Sequence, residues 1–301
     1  NSFTFLGYCE YTLKGEGKAR YLDCKKNSAL GISRSKSMRP ENVEIDSIPK
    51  TASERLLSHE PIIFAKSSRR SKVHRPAYPD YIAIKRFNDK GELEGECRFL
   101  GLFTAKVFSE SPRNIPLLRS KSERVMVLSG FEKKDHSGKE LEQLLAEYPR
   151  DELFQVRAEE LHQVVMSTLY CQERRKIGLF MRSDAFGRFV TALVYVPRDI
   201  YSTDLRLKIQ AILLREVQGL DIDFSTYISE SALARTQFNI RVDPKVKHSH
   251  NVPELQQKII DIAMSWSEEL EEALFDAYGE EQGNHLINNY RGAFRSAYRE
   301  Q

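Results

Sequence analysis

The chain has 301 residues, of which 41% are hydrophobic and 30% charged, with a formal net charge of +3. That length favours two domains over one core, and the composition is globular with a well-charged surface. The near balance of 46 basic and 43 acidic residues argues against a dedicated nucleic-acid binder, and no apolar run reaches the roughly 18 residues of a membrane-crossing helix.

Strand patterns come first. Phe3 to Leu13 is rich in Phe and Tyr, and the turn Gly15-Glu16-Gly17 leads to a second strand at Ala19 to Leu22. From Cys24 to Ser58 the pattern dissolves into Ser, Lys, Arg and Pro, which predicts a long irregular loop around one helix, Thr51 to Leu57. A strand returns at Pro61 to Ala65, followed by a hairpin of Tyr81 to Phe87 and Glu96 to Phe103 about the turn Asn88-Asp89-Lys90-Gly91. Residues 1–110 are therefore read as a sensor-like, PAS-like α+β domain.

Helices follow in a connector over residues 111–171: one from Ser111-Pro112 to Gly130, one over Lys139 to Glu147 and one over Asp151 to Tyr170. Residues 172–245 then predict the order β-β-α-β-β. Phe189 to Val196 is an unbroken apolar run, which marks a central strand covered on both faces. Pro197 ends it. Ser202 or Thr203 can cap a helix whose Leu205, Ile209, Ile212, Leu213 and Val217 make one stripe at the ~3.6-residue period. Two alternating strands, Ile222 to Ile228 and Thr236 to Val242, complete the unit. An α+β class with two antiparallel-sheet domains results, the second of the ACT-like type with an edge open to a neighbour. After Pro253 an apolar stripe including Trp266, Leu270 and Leu274, and then Leu286, Tyr290, Phe294 and Tyr298, predicts the start of a helical linker over residues 251–301.

Several of these segments resemble the N-terminal half of the large bacterial NAD-specific glutamate dehydrogenases. The specific blocks are Arg75 to Tyr81, Ser109 to Leu118, Tyr148 to Phe154, Leu179 to Phe189 and Leu193 to Arg206. The resemblance is weaker over the first sixty residues. It implies a cytoplasmic, oligomeric parent enzyme that oxidatively deaminates L-glutamate with NAD, and ACT-like regulatory domains ahead of the catalytic one. None of the family's catalytic machinery is found in this stretch. Gly15 and Gly17 lack the third glycine of a dinucleotide fingerprint, and no glycine-rich lysine motif appears. No catalytic residue and no cofactor are expected here, with NAD bound elsewhere in the parent. The chain opens on Asn1 and closes inside a helical pattern, so both ends read as cuts.

Other chemistry is sparse. Cys9, Cys24, Cys97 and Cys171 are widely spaced without a C-x-x-C pair and read as reduced thiols, although Cys9 and Cys24 can face each other across a hairpin. His248-Ser249-His250 reads as a polar linker without further metal ligands. The basic run Lys66 to Arg75, which Arg34, Lys36 and Arg39 can extend, reads as an exposed loop, ahead of an acidic protein surface and, last, nucleic acid. Arg182, Asp184, Arg188, Arg198 and Asp199 are predicted to cluster at the ends of two adjacent strands. There arginine forks can clasp a carboxylate and an aspartate can hold an ammonium, as an amino-acid or dicarboxylate effector requires. A purely structural role for Arg198 and Asp199, locking the turn, is the competing reading. The expected partners are the rest of the parent chain and further copies of it, and a ligand-free oligomerisation module is the alternative function.

Overall fold

The structure is a computed structural model that describes residues 2–290 apart from 16–18, 38–41, 46–47, 49, 68, 75–76, 185, 230, 245 and 247–249. The expectations for Glu16, Gly17, Arg39, Arg75, Ala185, His248, Ser249, Phe294 and Tyr298 lie outside those residues, as do the side chains of Trp266, Leu270, Leu286 and Tyr290. Two compact units form, one from residues 1–162 with 183–189, the other from 163–182 with 190–301. The fold class is the α+β one expected, with two antiparallel-sheet units.

The first unit is built on strands β1 (Phe3–Lys14), β2 (Tyr21–Cys24), β3 (Leu30–Gly31), β4 (Asn42–Glu44), β5 (Ile62–Lys66), β6 (Asp80–Phe87) and β7 (Leu93–Phe103). Their order is β4-β2-β1-β7-β6-β5, with β3 also on β1. The stretch read as an irregular loop around one helix holds that helix, α1 (Lys50–Leu57), and adds strands β3 and β4. Pairing with β1 and β2 orders it, although its composition carries no strand signal. Gly31 makes this possible. Its φ is +56°, and a Cβ there would fall 2.0 Å from Leu6 O on the neighbouring strand. Gly31→Ala is expected to lower stability by more than about 1 kcal/mol, measured by urea unfolding; an unchanged midpoint would mean that β3 is dispensable. The thiols of Cys9 and Cys24 do meet, with sulfurs 2.7 Å apart as free cysteines.

Successive helices are α2 (Ala105–Ser109), α3 (Pro116–Ser129), α4 (His136–Glu147), α5 (Arg150–Gln155) and α6 (Ala158–Glu173). The single helix expected from Asp151 to Tyr170 is two. Lys121 Nζ donates to the carbonyls of Leu153, Phe154 and Val156 at 2.6, 3.1 and 2.6 Å. These are acceptors that the end of a short helix leaves open, so a distant lysine completes α5 and Val156 goes extended. α3 stops where Gly130 turns left-handed.

In the second unit the order is β8 (Gly178–Ser183), β9 (Phe189–Pro197), α7 (Thr203–Glu216), β10 (Asp221–Ile228) and β11 (Leu233–Arg241), with the sheet arranged β10-β11-β9-β8. Every residue of β9 is buried, as its unbroken apolar run requires. Ser202 Oγ accepts from Leu205 N at 3.0 Å and opens α7. The stripe Leu205, Ile209, Leu213 and Val217 packs with Val190, Ala192, Val194 and Phe238 into one core. Helix α8 (Val252–Tyr290), broken by Gly279, adds Leu255, Ile259 and Ala263 to it.

Candidate functional site

The two faces of the first sheet differ in chemistry. Because side chains alternate along a strand and the register pairs Cys9 with Arg98, Tyr11 with Glu96, Tyr81 with Leu100 and Ala83 with Arg98, these residues share one face. Phe64 and Phe103 lie on the other, where Phe154 of α5 stacks between them with ring centres 4.8 Å from each. Aromatic packing covers part of that second face. Over the first face, α1 is held by Lys85, whose Nζ donates to Arg55 O and Ser58 O at 2.7 Å each.

Between this face and its covering segments is a cavity of about 310 Å³. Its polar wall carries Tyr11, Tyr81 and Arg98 from the sheet, Lys36 and Arg69 from loops, and Arg188 from the returning segment; Ile48, Leu56 and Leu100 supply an apolar part. Four bases line it, and among the described residues no carboxylate does.

The sheet anchors Arg98 firmly. Its Nε donates to Glu96 Oε1, an oxygen that also accepts from the Tyr81 hydroxyl at 3.0 Å. The guanidinium lies 3.8 Å over the Tyr11 ring and 5.4 Å from that of Tyr81, the geometry of a cation on an aromatic face. Burial drives the Tyr11 hydroxyl up to about 12 and that of Tyr81 well above its ordinary value, against the pull of Arg98. Both therefore remain neutral donors at physiological pH.

Arg188 is placed by its turn. Asp184 Oδ1 accepts from the backbone N–H groups of Arg188 and Phe189 at 2.6 and 3.0 Å. This Asp turn fixes the segment, and burial raises the Asp184 carboxyl. Phe186 sets its ring edge-on to Tyr81, with centres 5.4 Å apart, and Arg188 lies 5.1 Å over Phe186. Burial lowers the Arg188 guanidinium's affinity for its proton, opposed by Asp184 and Tyr81 and reinforced by Arg98. Among the described residues its guanidinium makes neither a hydrogen bond nor an ion pair with protein atoms.

The cluster expected from sequence does not form as drawn. Asp184 and Arg188 precede β9, whereas Arg198 and Asp199 follow it, and a nine-residue strand separates its ends by about 30 Å. Arg198 Nη1 donates to Ser229 O at 2.9 Å and its N–H to Ala232 O at 3.0 Å, so Arg198 locks the loop ahead of β11. Asp199 is exposed in the same turn, and Arg182 is half-buried on β8. Asp184 serves its own turn through Oδ1 and does not line the cavity. Of the five residues, Arg188 alone lines it. Sequence reading missed Tyr11, Tyr81 and Arg98. The available signal was Glu96 and Arg98 at a two-residue spacing on the inward face of a strand, where charges occur only when paired. The basic run needs correction too: Lys66 is half-buried in β5, bound to Asp80 and Asp151, Arg69 is exposed at the cavity, and Arg70 rests 4.8 Å from the Tyr78 ring centre.

Three family models match along the chain: glutamate dehydrogenase helical motif 1 over residues 115–174, the glutamate dehydrogenase ACT2 domain over 178–267 and glutamate dehydrogenase helical motif 2 over 273–301. The chain is 43% identical over its whole length to an NAD-specific glutamate dehydrogenase of Halomonas elongata, of which it covers 19%. It is 40% identical to that of Pseudomonas aeruginosa, again over its whole length and 18% of the relative. With that of Mycobacterium tuberculosis the identity is 26%, over 98% of this chain and 18% of the relative. The chain thus spans about one fifth of the length of these relatives. Among the described residues no helix is long and apolar enough to cross a membrane.

Proposed function

Because the chain belongs to the glutamate dehydrogenase family, we propose that it is a regulatory and assembly segment of an NAD-dependent glutamate dehydrogenase and is inert by itself. The whole enzyme converts L-glutamate to 2-oxoglutarate and ammonia on a catalytic domain outside this stretch, where NAD binds, in the cytoplasm. The observation that carries this reading is the coincidence of the β8-β9-α7-β10-β11 unit with the glutamate dehydrogenase ACT2 match. The first unit acts as a sensor-like, PAS-like domain. Its strand order β2-β1-β7-β6-β5, interrupted by one long excursion, and its basic cavity support that role. Regulation then requires only that a ligand bind one state of the enzyme better than another. The purified chain should give no NADH from L-glutamate and NAD, and turnover by it would sink the proposal.

Edge strand β10 favours an assembly role as well. It pairs with β11 alone in the described sheet and leaves Phe224, Tyr227 and Ile228 48%, 43% and 39% exposed. Apolar side chains on an open edge invite strand addition, and lysines there oppose it. Tyr227→Lys with Ile228→Lys is expected to lower the oligomeric mass measured by analytical ultracentrifugation. An unchanged mass would assign assembly to another surface.

A further inference from the structure

We propose that the cavity of the first unit is a binding site for a small dicarboxylate, held at its two ends by the Arg98 and Arg188 guanidiniums. The proposal deepens the regulatory reading, and rests on it for its consequence in the enzyme; the binding itself stands on the cavity alone.

Charge is the first ground. Four cationic side chains line the cavity, and among the described residues no carboxylate lines it; Arg98 is paired with Glu96 outside the lining. Arg188 lines the same cavity as Arg98, and the two cations disfavour each other. Holding like charges together in a partly desolvated space is unfavourable unless an anion joins them. A guanidinium offers a planar fork of donors that matches a carboxylate with two parallel hydrogen bonds.

Preorganisation is the second. Arg98 is fixed by Glu96 and by the Tyr11 face, and Arg188 by the Asp184 turn and the Phe186 ring. A ligand would therefore meet two oriented cations and need not order free side chains, which lowers the entropic cost of binding. The nearby serines add donors.

Shape and composition choose among anions. A cavity of about 310 Å³ is far roomier than a lone phosphate group requires, and it lies at the small end of ordinary ligand sites. The apolar part formed by Ile48, Leu56 and Leu100 suits the methylene bridge of a short dicarboxylate. An amino acid fits less well, because among the described residues no carboxylate faces the cavity to receive an ammonium. Of the amino-acid and dicarboxylate effectors expected from sequence, the cavity thus favours the dicarboxylate, and of the five residues expected to bind it only Arg188 lines the cavity.

The test is calorimetric titration of the 301-residue chain with succinate, L-aspartate and inorganic phosphate as probes. Saturable binding of succinate is expected, with L-aspartate and phosphate each several-fold weaker. Arg188→Gln should weaken succinate about tenfold or more, as loss of a charge-assisted hydrogen-bonded pair does, and Arg188→Lys should restore part of it. Arg188 is only half-buried, and circular dichroism establishes whether the variants fold. Arg69→Gln, at the exposed rim, gives a second reading of the cavity's charge with a smaller loss expected. The proposal is overturned by no saturable succinate binding, by binding indifferent to both Arg188→Gln and Arg69→Gln, or by phosphate or L-aspartate binding as tightly as succinate. If succinate binds as expected but leaves turnover of the longer enzyme unchanged, the site stands and the regulatory reading fails.

Discussion

Replacing Lys66 by methionine should destabilise the first unit by about 3–5 kcal/mol, the effect of removing one partner from a buried ionic group. Lys66 Nζ lies 3.2 Å from Asp80 Oδ1 and 3.3 Å from Asp151 Oδ2, and all three side chains are less than a fifth exposed. The lysine therefore joins β5, β6 and α5 at one point, and Asp80 Oδ2 also accepts from Phe103 N at 3.0 Å. Burial opposes the lysine's charge, but the carboxylates of Asp151 and Asp80 outweigh it, so Lys66 is held above the ordinary lysine range. Asp80 is held above the usual carboxylate range by its burial, which a lysine shared with Asp151 offsets only in part.

The pH dependence follows from these directions. A raised lysine stabilises fully below its unfolded pKa of about 10.4 and loses that contribution as pH rises beyond it towards the folded value. The stability gap between wild type and Lys66→Met should therefore be flat through neutral pH and narrow in strong alkali. It should narrow again towards acid, where the unpaired carboxylates of the variant take up protons and cease to be buried charges. Urea unfolding across pH measures this. A gap under about 1 kcal/mol at pH 7, the range of an exposed ion pair, would show that the three groups are not buried together.

Phe238→Ala should cost the second unit a similar amount, about 3–5 kcal/mol. Phe238 is fully buried on β11, between β10 and β9, and packs with the α7 stripe and with Ile259 of α8. Truncation leaves a cavity that the surrounding strands can close only by shifting their register, and packed interiors resist such movement. Thermal and urea unfolding of the variant, followed by circular dichroism, check the value. A loss below about 1 kcal/mol would mean that the core collapses around the gap.

Much of the second unit was legible because its signals are local. The apolar run Phe189 to Val196, the proline after it, Ser202 at a helix start and the stripe from Leu205 to Val217 each act within a few residues, and each appears in place. In the excursion between β2 and β5 the helix was legible but the strands were not, since β3 and β4 exist only because β1 and β2 offer them hydrogen bonds. Likewise, nothing near Val156 announces the break between α5 and α6; Lys121, 35 residues away, supplies it.

By itself the sequence determined the α+β class, the β-β-α-β-β order, the α7 cap and the kinship with glutamate dehydrogenases, all of which rest on short-range periodicity or on matched blocks of residues. Only the tertiary structure decided which charges meet. Arg188 and Arg198 are near in sequence yet are divided by the full length of β9, because an extended chain advances about 3.3 Å per residue. Tyr11, Tyr81, Arg98 and Arg188 are far apart in sequence and line one cavity, because strand pairing and a returning turn bring them together. Such long-range contacts are encoded in the free energy of the whole fold and leave no local pattern to read.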